Sequence, residues 1–125
     1  MPPKTSRKKQ KLGDCYEAAF KFLMNECMIH SEKENNFTLV HAEVMGQGQL
    51  EGISYGHAFV IDTTSNTVID VSNGRDIKMG AGLYFAIGGI DYLNNIHKYT
   101  WPEASKKAVL TGTYGPWDLI TKTGL

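Results

Sequence analysis

Two short β-branched runs separated by a polar turn are the feature that most constrains the fold of this chain. Residues 55–62 and 67–72 are rich in valine, isoleucine and aromatic side chains, and residues 63–66 are all threonine, serine or asparagine. Runs of this length with turn residues between them are typical of a β-hairpin. The sequence therefore predicts two antiparallel strands here.

The predicted hairpin brings a histidine and an aspartate together. A two-residue turn at 63–64 and a four-residue turn at 62–65 give the same register, in which His57 lies directly opposite Asp70. The Cβ atoms of such partners lie about 4.5–5.5 Å apart, so the aspartate can accept a hydrogen bond from one imidazole nitrogen and leave the other free. Both residues share their face with apolar neighbours, and we expect the first helix to cover that face.

Residues 14–28 are predicted to form this first helix, because their apolar side chains recur at helical spacing. Asp14 is expected to cap the first turn, with Glu17 completing an acidic capping box. Cys15 is then the first helical residue, where the positive end of the helix dipole favours a thiolate. Cys27 lies near the other end of the helix, and we assign it to packing.

Cys15, His57 and Asp70 would supply a nucleophile, a base and a group that orients the base, which are the three parts of covalent thiol catalysis. A buried His–Asp pair that only fixes the hairpin register is the competing interpretation. The position of Cys15 at a helix start favours the catalytic interpretation.

The remaining pattern predicts an α+β fold in which the N-terminal helix packs on a small, mostly antiparallel sheet. We expect one domain over residues 12–125, preceded by a flexible basic tail at 1–11. The other predicted elements are a strand at 37–45, a glycine-rich loop from Gly46 through Gly52, a short helix at 83–90, a strand at 96–100 and a last helix that starts at Thr100 or Trp101.

Composition excludes several function classes. The 125 residues contain 13 basic and 13 acidic side chains, so no overall charge attracts the chain to nucleic acid or to a membrane. The sequence has no apolar run long enough to span a bilayer and no signal peptide, which predicts a cytoplasmic protein with reduced cysteines. The basic tail alone gives only weak, salt-sensitive affinity for phosphate backbones.

The histidines and cysteines do not have the spacing of a metal site. The sequence contains neither a C-x-x-C nor an H-x-x-x-H pair. We interpret His30, His41 and His97 as surface or locally bonded histidines. The sequence therefore predicts no metal and no cofactor.

Three segments resemble the transglutaminase-like superfamily of papain-like cysteine hydrolases. Residues 13–16, GDCY, are similar to its cysteine helix, residues 56–60, GHAFV, to its histidine strand, and residues 68–72, VIDVS, to its aspartate strand. The order of the three residues and the short histidine-to-aspartate spacing also match. Phe59 and Val71 stand where that superfamily usually has tryptophan and proline. The chain is similar, too, to small proteins encoded by bacteria and phages.

The resemblance implies acyl transfer on a protein or peptide-like amide. Cys15 would attack an amide or isopeptide carbonyl, His57 would move the proton and Asp70 would hold the imidazolium. Water or an amine would resolve the thioester, with hydrolysis preferred over deamidation or crosslinking. The alternative on the same fold is a non-catalytic bacterial or phage protein that binds a host protein or a small metabolite. A third function is nucleic-acid binding through the tail.

An oxyanion hole needs donors close to the attacked carbonyl. The backbone amide of Cys15 is one expected donor, and a side-chain amide from Gln10, Gln47 or Gln49 is the second. The papain-like families place a glutamine a few residues before the cysteine, which Gln10 roughly matches, whereas Gln47 and Gln49 also fit ordinary loop polarity.

Three further residues are candidates at the site. Asn73 rivals Asp70 as the group that orients His57, although its Asn-Gly context is typical of a turn. Trp101 and Trp117 form either a wall of the substrate cleft or part of the core.

Overall fold

A computed structural model describes residues 14–30, 36–46 and 52–121. Helix α1 spans Cys15–Ile29, α2 spans Ala81–Gly88 and α3 spans Trp101–Thr111. The strands are β1 Phe37–Met45, β2 Ser54–Asp62, β3 Thr67–Asp70, β4 Ile77–Gly80 and β5 Ile96–Tyr99, and a 3-10 turn covers Ser72–Gly74. The predicted tail at 1–11 lies outside the described residues.

The five strands form one antiparallel sheet in the order β4-β3-β2-β1-β5. Together with the three helices of the described ranges, this sheet confirms the predicted α+β class. The predicted hairpin is formed by β2 and β3. Strand β4 was not predicted, because its four residues alternate too briefly to distinguish them from a loop.

The two faces of the sheet are covered by different helices. On one face, α1 packs its buried side chains on Ala58 and Val60 of β2. On the other face, Phe59 of β2 and Val68 of β3 pack against Ala81 of α2. Successive strand residues point to opposite faces, so β2 contributes to both clusters.

The predicted hairpin register is wrong by two residues. Asp62 pairs with Thr67, so the connecting loop is 63–66 and not 62–65. Asn66 has a φ of 53°, a left-handed conformation that asparagine tolerates, and this lets the chain enter β3 directly at Thr67. The Asp62 carboxylate accepts hydrogen bonds from the backbone and side chain of Thr64, and these bonds stabilise the turn at 63–66.

The helix predicted to cover the His57 face is also different. That face carries Phe59, and it is α2 that packs there, whereas α1 packs on the opposite face. The cause is the apolar content of β2, in which Ala58 and Val60 are as buried as Phe59. Both faces of the strand therefore need a cover.

Helix α1 begins at Cys15 as predicted, but Asp14 does not cap it through its side chain. Asp14 has helical dihedrals, with φ −68° and ψ −8°, and the capping bond requires an extended residue. Glu17 forms an ion pair with Lys21 one turn later. The predicted capping box is therefore absent.

The predictions for the C-terminal third are closer. Helix α3 begins with a capping box between Thr100 and Glu103. Helix α2 starts and ends two residues earlier than the predicted 83–90, because Gly89 adopts a left-handed φ of 60° that ends it. The described residues contain no helix long and apolar enough to cross a membrane.

His41 is not the surface or locally bonded histidine that we predicted. Its side chain is fully buried in β1, and neither ring nitrogen has a hydrogen-bond partner among the described residues. The rings of Tyr16, Tyr99 and Trp117 surround it at centroid distances of 5.0–5.1 Å. A Cβ at Gly115 would lie 2.6 Å from its Cε1 atom, so only glycine fits there.

Replacement of His41 by phenylalanine should make folding less sensitive to acid. Burial, helped by the nearby His97, lowers the pKa of His41 from 6.5 to about 4, while the more distant Asp118 acts weakly in the opposite direction. Between these values the unfolded chain binds the extra proton, so stability falls as the pH drops. The loss approaches roughly 3 kcal/mol near pH 4. Urea unfolding of the wild type and His41→Phe between pH 4 and 7.5 measures the free energy of unfolding of each protein as a function of pH.

His30→Gln is the matched control, because it removes a histidine that is only partly buried. At pH 7.5 His41→Phe should be as stable as the wild type or more stable, since phenylalanine leaves no unpaired polar atom. An unchanged slope of stability against pH in His41→Phe would contradict the prediction.

Candidate active site

His57 and Asp70 form the centre of the candidate site. The Nε2 atom of His57 lies 2.9 Å from Oδ2 of Asp70. If the observed register is extended by one residue, Phe59 and not His57 lies opposite Asp70. His57 and Asp70 are therefore diagonal neighbours on the two strands. A slip of two residues keeps a side chain on its face, and diagonal neighbours remain within reach of a long side chain.

The Asp70 carboxylate accepts four hydrogen bonds. Its Oδ1 atom accepts from the backbone N–H of Ser72 at 3.0 Å and from the Ser72 hydroxyl at 2.7 Å. Its Oδ2 atom accepts from the Tyr84 hydroxyl at 2.7 Å in addition to His57. Burial would raise the pKa of Asp70, but the bonds from His57, Ser72 and Tyr84 outweigh it and hold this pKa well below its usual value. Asp70 is therefore ionised.

The ionised aspartate fixes the state of the histidine. A carboxylate only accepts hydrogen bonds, so Nε2 of His57 carries a proton and Nδ1 is the nitrogen left for a thiol. Burial acts to lower the pKa of His57, but the bond to Asp70 and a hydrogen bond with Cys15 outweigh it and raise the pKa to about 9. The protonated imidazolium is thus favoured at neutral pH.

Cys15 reaches His57 from the opposite face of the sheet. It is the first residue of α1, is 3% exposed and belongs to the cluster on the α1 face. Strand β3 ends at Asp70, so β2 has no partner on that side beyond this point. The 3-10 turn Ser72–Gly74 follows and packs against α1. His57 lies in the part of β2 that is not paired with β3.

The structure therefore brings together all three predicted residues, Cys15, His57 and Asp70. The backbone N–H of Cys15 lies in the first turn of α1, where amides lack a partner within the helix, and it remains the expected oxyanion donor. The predicted second donors, Gln10, Gln47 and Gln49, lie outside the described residues. Asn73 lies in the 3-10 turn, and Asp70 bonds to His57.

The two tryptophans pack against the hydrophobic cluster on the α1 face. Trp101 packs on Phe20 with ring centroids 5.5 Å apart, and Trp117 lies 6.5 Å from the same ring. Trp117 also contacts His41 and Tyr99 at 5.0 Å. Of the two predicted roles, these contacts match core packing on the α1 face.

Sequence reasoning missed two residues that hold Asp70. Ser72 follows Asp70 by two positions, and a serine at that spacing is a recognisable local turn partner for an aspartate. Tyr84 had no such signal, because it comes from α2 and reaches Asp70 only through the tertiary fold. No group of three or more histidine, cysteine or acidic side chains in the described ranges is arranged to hold a metal ion.

A search of protein-family models found no family that matches the chain. Comparisons with curated proteins and with solved structures also found no match. The case for a function therefore depends on the geometry around His57.

Proposed function

We propose that this protein is a thiol-dependent amide hydrolase or acyl transferase built on a transglutaminase-like core. Cys15 is the nucleophile, His57 the general acid and base, and Asp70 the group that orients His57. The observation that carries the proposal is the position of His57, which bonds through Nε2 to an ionised aspartate and whose pKa is also raised by Cys15, the cysteine at the start of α1.

The charges of the site favour an ion pair at rest. His57 keeps its proton up to about pH 9, and its positive charge lies beside the Cys15 sulfur. The N-terminus of α1 adds the positive end of the helix dipole at the same atom. Both positive charges lie close to the Cys15 sulfur, and the thiolate is the form of cysteine that attacks a carbonyl.

The reaction then proceeds in two halves. The Cys15 sulfur forms a bond to the substrate carbonyl carbon, and the carbonyl oxygen becomes an oxyanion beside the Cys15 amide. His57 gives its proton to the leaving amine as the carbon–nitrogen bond breaks, which leaves a thioester. Water or a second amine attacks this thioester, His57 takes up the released proton, and the thiolate leaves. Hydrolysis and transamidation differ only in the second nucleophile.

Asp70 acts through His57. Its charge stabilises the imidazolium, and its bonds to Ser72 and Tyr84 hold the carboxylate in the orientation that His57 needs. Asp70 stays ionised throughout, because its hydrogen bonds stabilise the carboxylate form and hold its pKa well below the usual value.

A non-catalytic binding protein is the second candidate function. The low exposure of Cys15, 3%, favours it, because a buried cysteine is more often a packing residue than a nucleophile. The reactivity of Cys15 separates the two functions.

Cys15 should react with iodoacetamide at pH 6–7 at least about tenfold faster than Cys27, because a thiolate and not a thiol is alkylated. In His57→Ala the rate at Cys15 should fall by about tenfold or more, since the positive partner is lost. Mass spectrometry of both sites over pH 5–9 measures the two rates in one sample. Cys27, buried at the far end of α1, is the internal control.

An inert Cys15, or one that reacts equally fast with and without His57, would contradict thiol catalysis and support the binding function. His30→Ala is the matched control variant, because it removes a histidine at the C-terminal end of α1.

In Asp70→Asn the pKa of His57 should fall from about 9 towards its ordinary 6.5, because burial remains while the anionic partner is lost. The raised pKa of His57 adds to the free energy of unfolding of the protein. This stabilisation is complete below pH 6.5 and disappears as the pH rises through 9. Asp70→Asn should therefore flatten the dependence of unfolding free energy on pH between 6.5 and 9. NMR titration of the His57 ring measures the pKa directly.

Asp118→Asn is the control for Asp70→Asn. Asp118 also accepts a tyrosine hydroxyl, that of Tyr99, at 2.6 Å, but it does not contact His57. A His57 titration that moves equally in both variants would show that Asp70 is not its specific partner.

A further inference from the structure

A small pocket opens beside His57 on the α2 face of the sheet. Its volume is about 150 Å³, and His57 and Asp70 form part of its wall. Most of the remaining wall is aliphatic and comes from β1, β4 and α2, namely Val44, Met45, Ile77, Met79 and Ile87. We call this cavity the aliphatic pocket.

The size of the aliphatic pocket limits what it can hold. Binding sites for whole cofactors or drug-sized ligands measure about 300–1,000 Å³. An apolar cavity of about 150 Å³ accommodates a group as large as benzene. The aliphatic pocket, at about 150 Å³, therefore suits one side chain of about four to six carbons.

The pocket lies next to the nucleophile without including it. His57 forms part of the pocket wall and also interacts with Cys15, so the sulfur and the cavity lie against the same imidazole ring. The pocket is thus positioned for the residue whose carbonyl Cys15 attacks.

Arg75 gives the pocket a charge. It lines the cavity and is exposed, and no carboxylate among the described residues forms an ion pair with it. Burial raises the pKa of Tyr55 and Tyr84, which also line the cavity, and the charge of Arg75 partly offsets this rise. The cationic group therefore lies near the polar end of the pocket.

We propose that the aliphatic pocket selects the acyl donor, and this rests on the proposed function. The substrate class is a peptide amide in which the residue bearing the attacked carbonyl has a leucine- or methionine-sized side chain. The side chain enters between β4 and α2, next to His57. A carboxylate carried nearby on the same substrate binds Arg75.

Chloromethyl ketones of single amino acids test the side chain. The Cys15 sulfur displaces chloride from the methylene carbon, so a carbon–sulfur bond replaces the carbon–chlorine bond. N-acetyl-leucyl chloromethyl ketone should alkylate Cys15 at least about tenfold faster than the glycyl analogue, since several buried carbons distinguish the two. Iodoacetamide, which carries no side chain, reports the intrinsic reactivity of the thiol.

Two aspartate substitutions on α2 form a matched pair. Ile87 lines the pocket and is 51% exposed, whereas Leu83, one turn earlier, is 59% exposed and does not line it. Ile87→Asp should reduce the leucyl-to-glycyl rate ratio to near one, where both rates are divided by the iodoacetamide rate of the same variant to correct for the new charge near His57. Leu83→Asp should leave this ratio unchanged.

Arg75→Gln tests the charge. N-succinyl-leucyl chloromethyl ketone carries a carboxylate that the acetyl analogue lacks, and the wild type should prefer it by roughly threefold, the size expected of an exposed ion pair. Arg75→Gln should abolish this preference and keep the preference for leucine over glycine.

The outcomes separate this inference from the proposed function. Rapid alkylation by iodoacetamide with a leucyl-to-glycyl ratio near one in the wild type would overturn the pocket assignment and leave thiol catalysis standing. An equal loss of the ratio in Leu83→Asp and Ile87→Asp would also overturn it. A Cys15 that iodoacetamide labels no faster than Cys27 would overturn the proposed function itself, and the pocket proposal with it.

Discussion

The buried carboxylate of Asp70 is the interaction on which the rest of this structure depends. Removal of an ion from water costs several kcal/mol, and Asp70 is only 1% exposed. Hydrogen bonds to the carboxylate must therefore offset this desolvation cost. Three separate elements do so: His57 from β2, Ser72 from the turn after β3 and Tyr84 from α2. The position of each element is thereby tied to one carboxylate.

The sequence was sufficient to predict the elements that have a strong period or a local end signal. Helix α1, strand β2 and the start of α3 at Trp101 are of this kind. The hairpin register depended on the conformation of one turn residue, Asn66, which the sequence permits but does not require. Strand β4 and the packing of α2 depend on tertiary contacts, for which a single sequence carries no periodic signal.

The three site residues could be predicted in spite of the register error. The error was an even number of residues, which keeps His57 and Asp70 on one face, whereas a slip of one residue would have separated them. Tyr84 could not be predicted, because no local pattern links it to Asp70, fourteen positions earlier. His41 was misjudged for a related reason. A buried histidine without a hydrogen-bond partner is destabilising, so the sequence favoured an exposed position for His41. The aromatic rings that surround His41 come together only in the tertiary structure.

The early end of β3 explains how two layers of the fold contribute to one site. Cys15 is held by the core between α1 and the sheet, and Asp70 is held by α2 on the opposite face. Both act on His57, which lies in the part of β2 beyond its pairing with β3. Cys15 and the helical part of the pocket wall therefore belong to different helices. Changes on α2 can reshape the cavity beside His57 while the helix that carries Cys15 keeps its own packing.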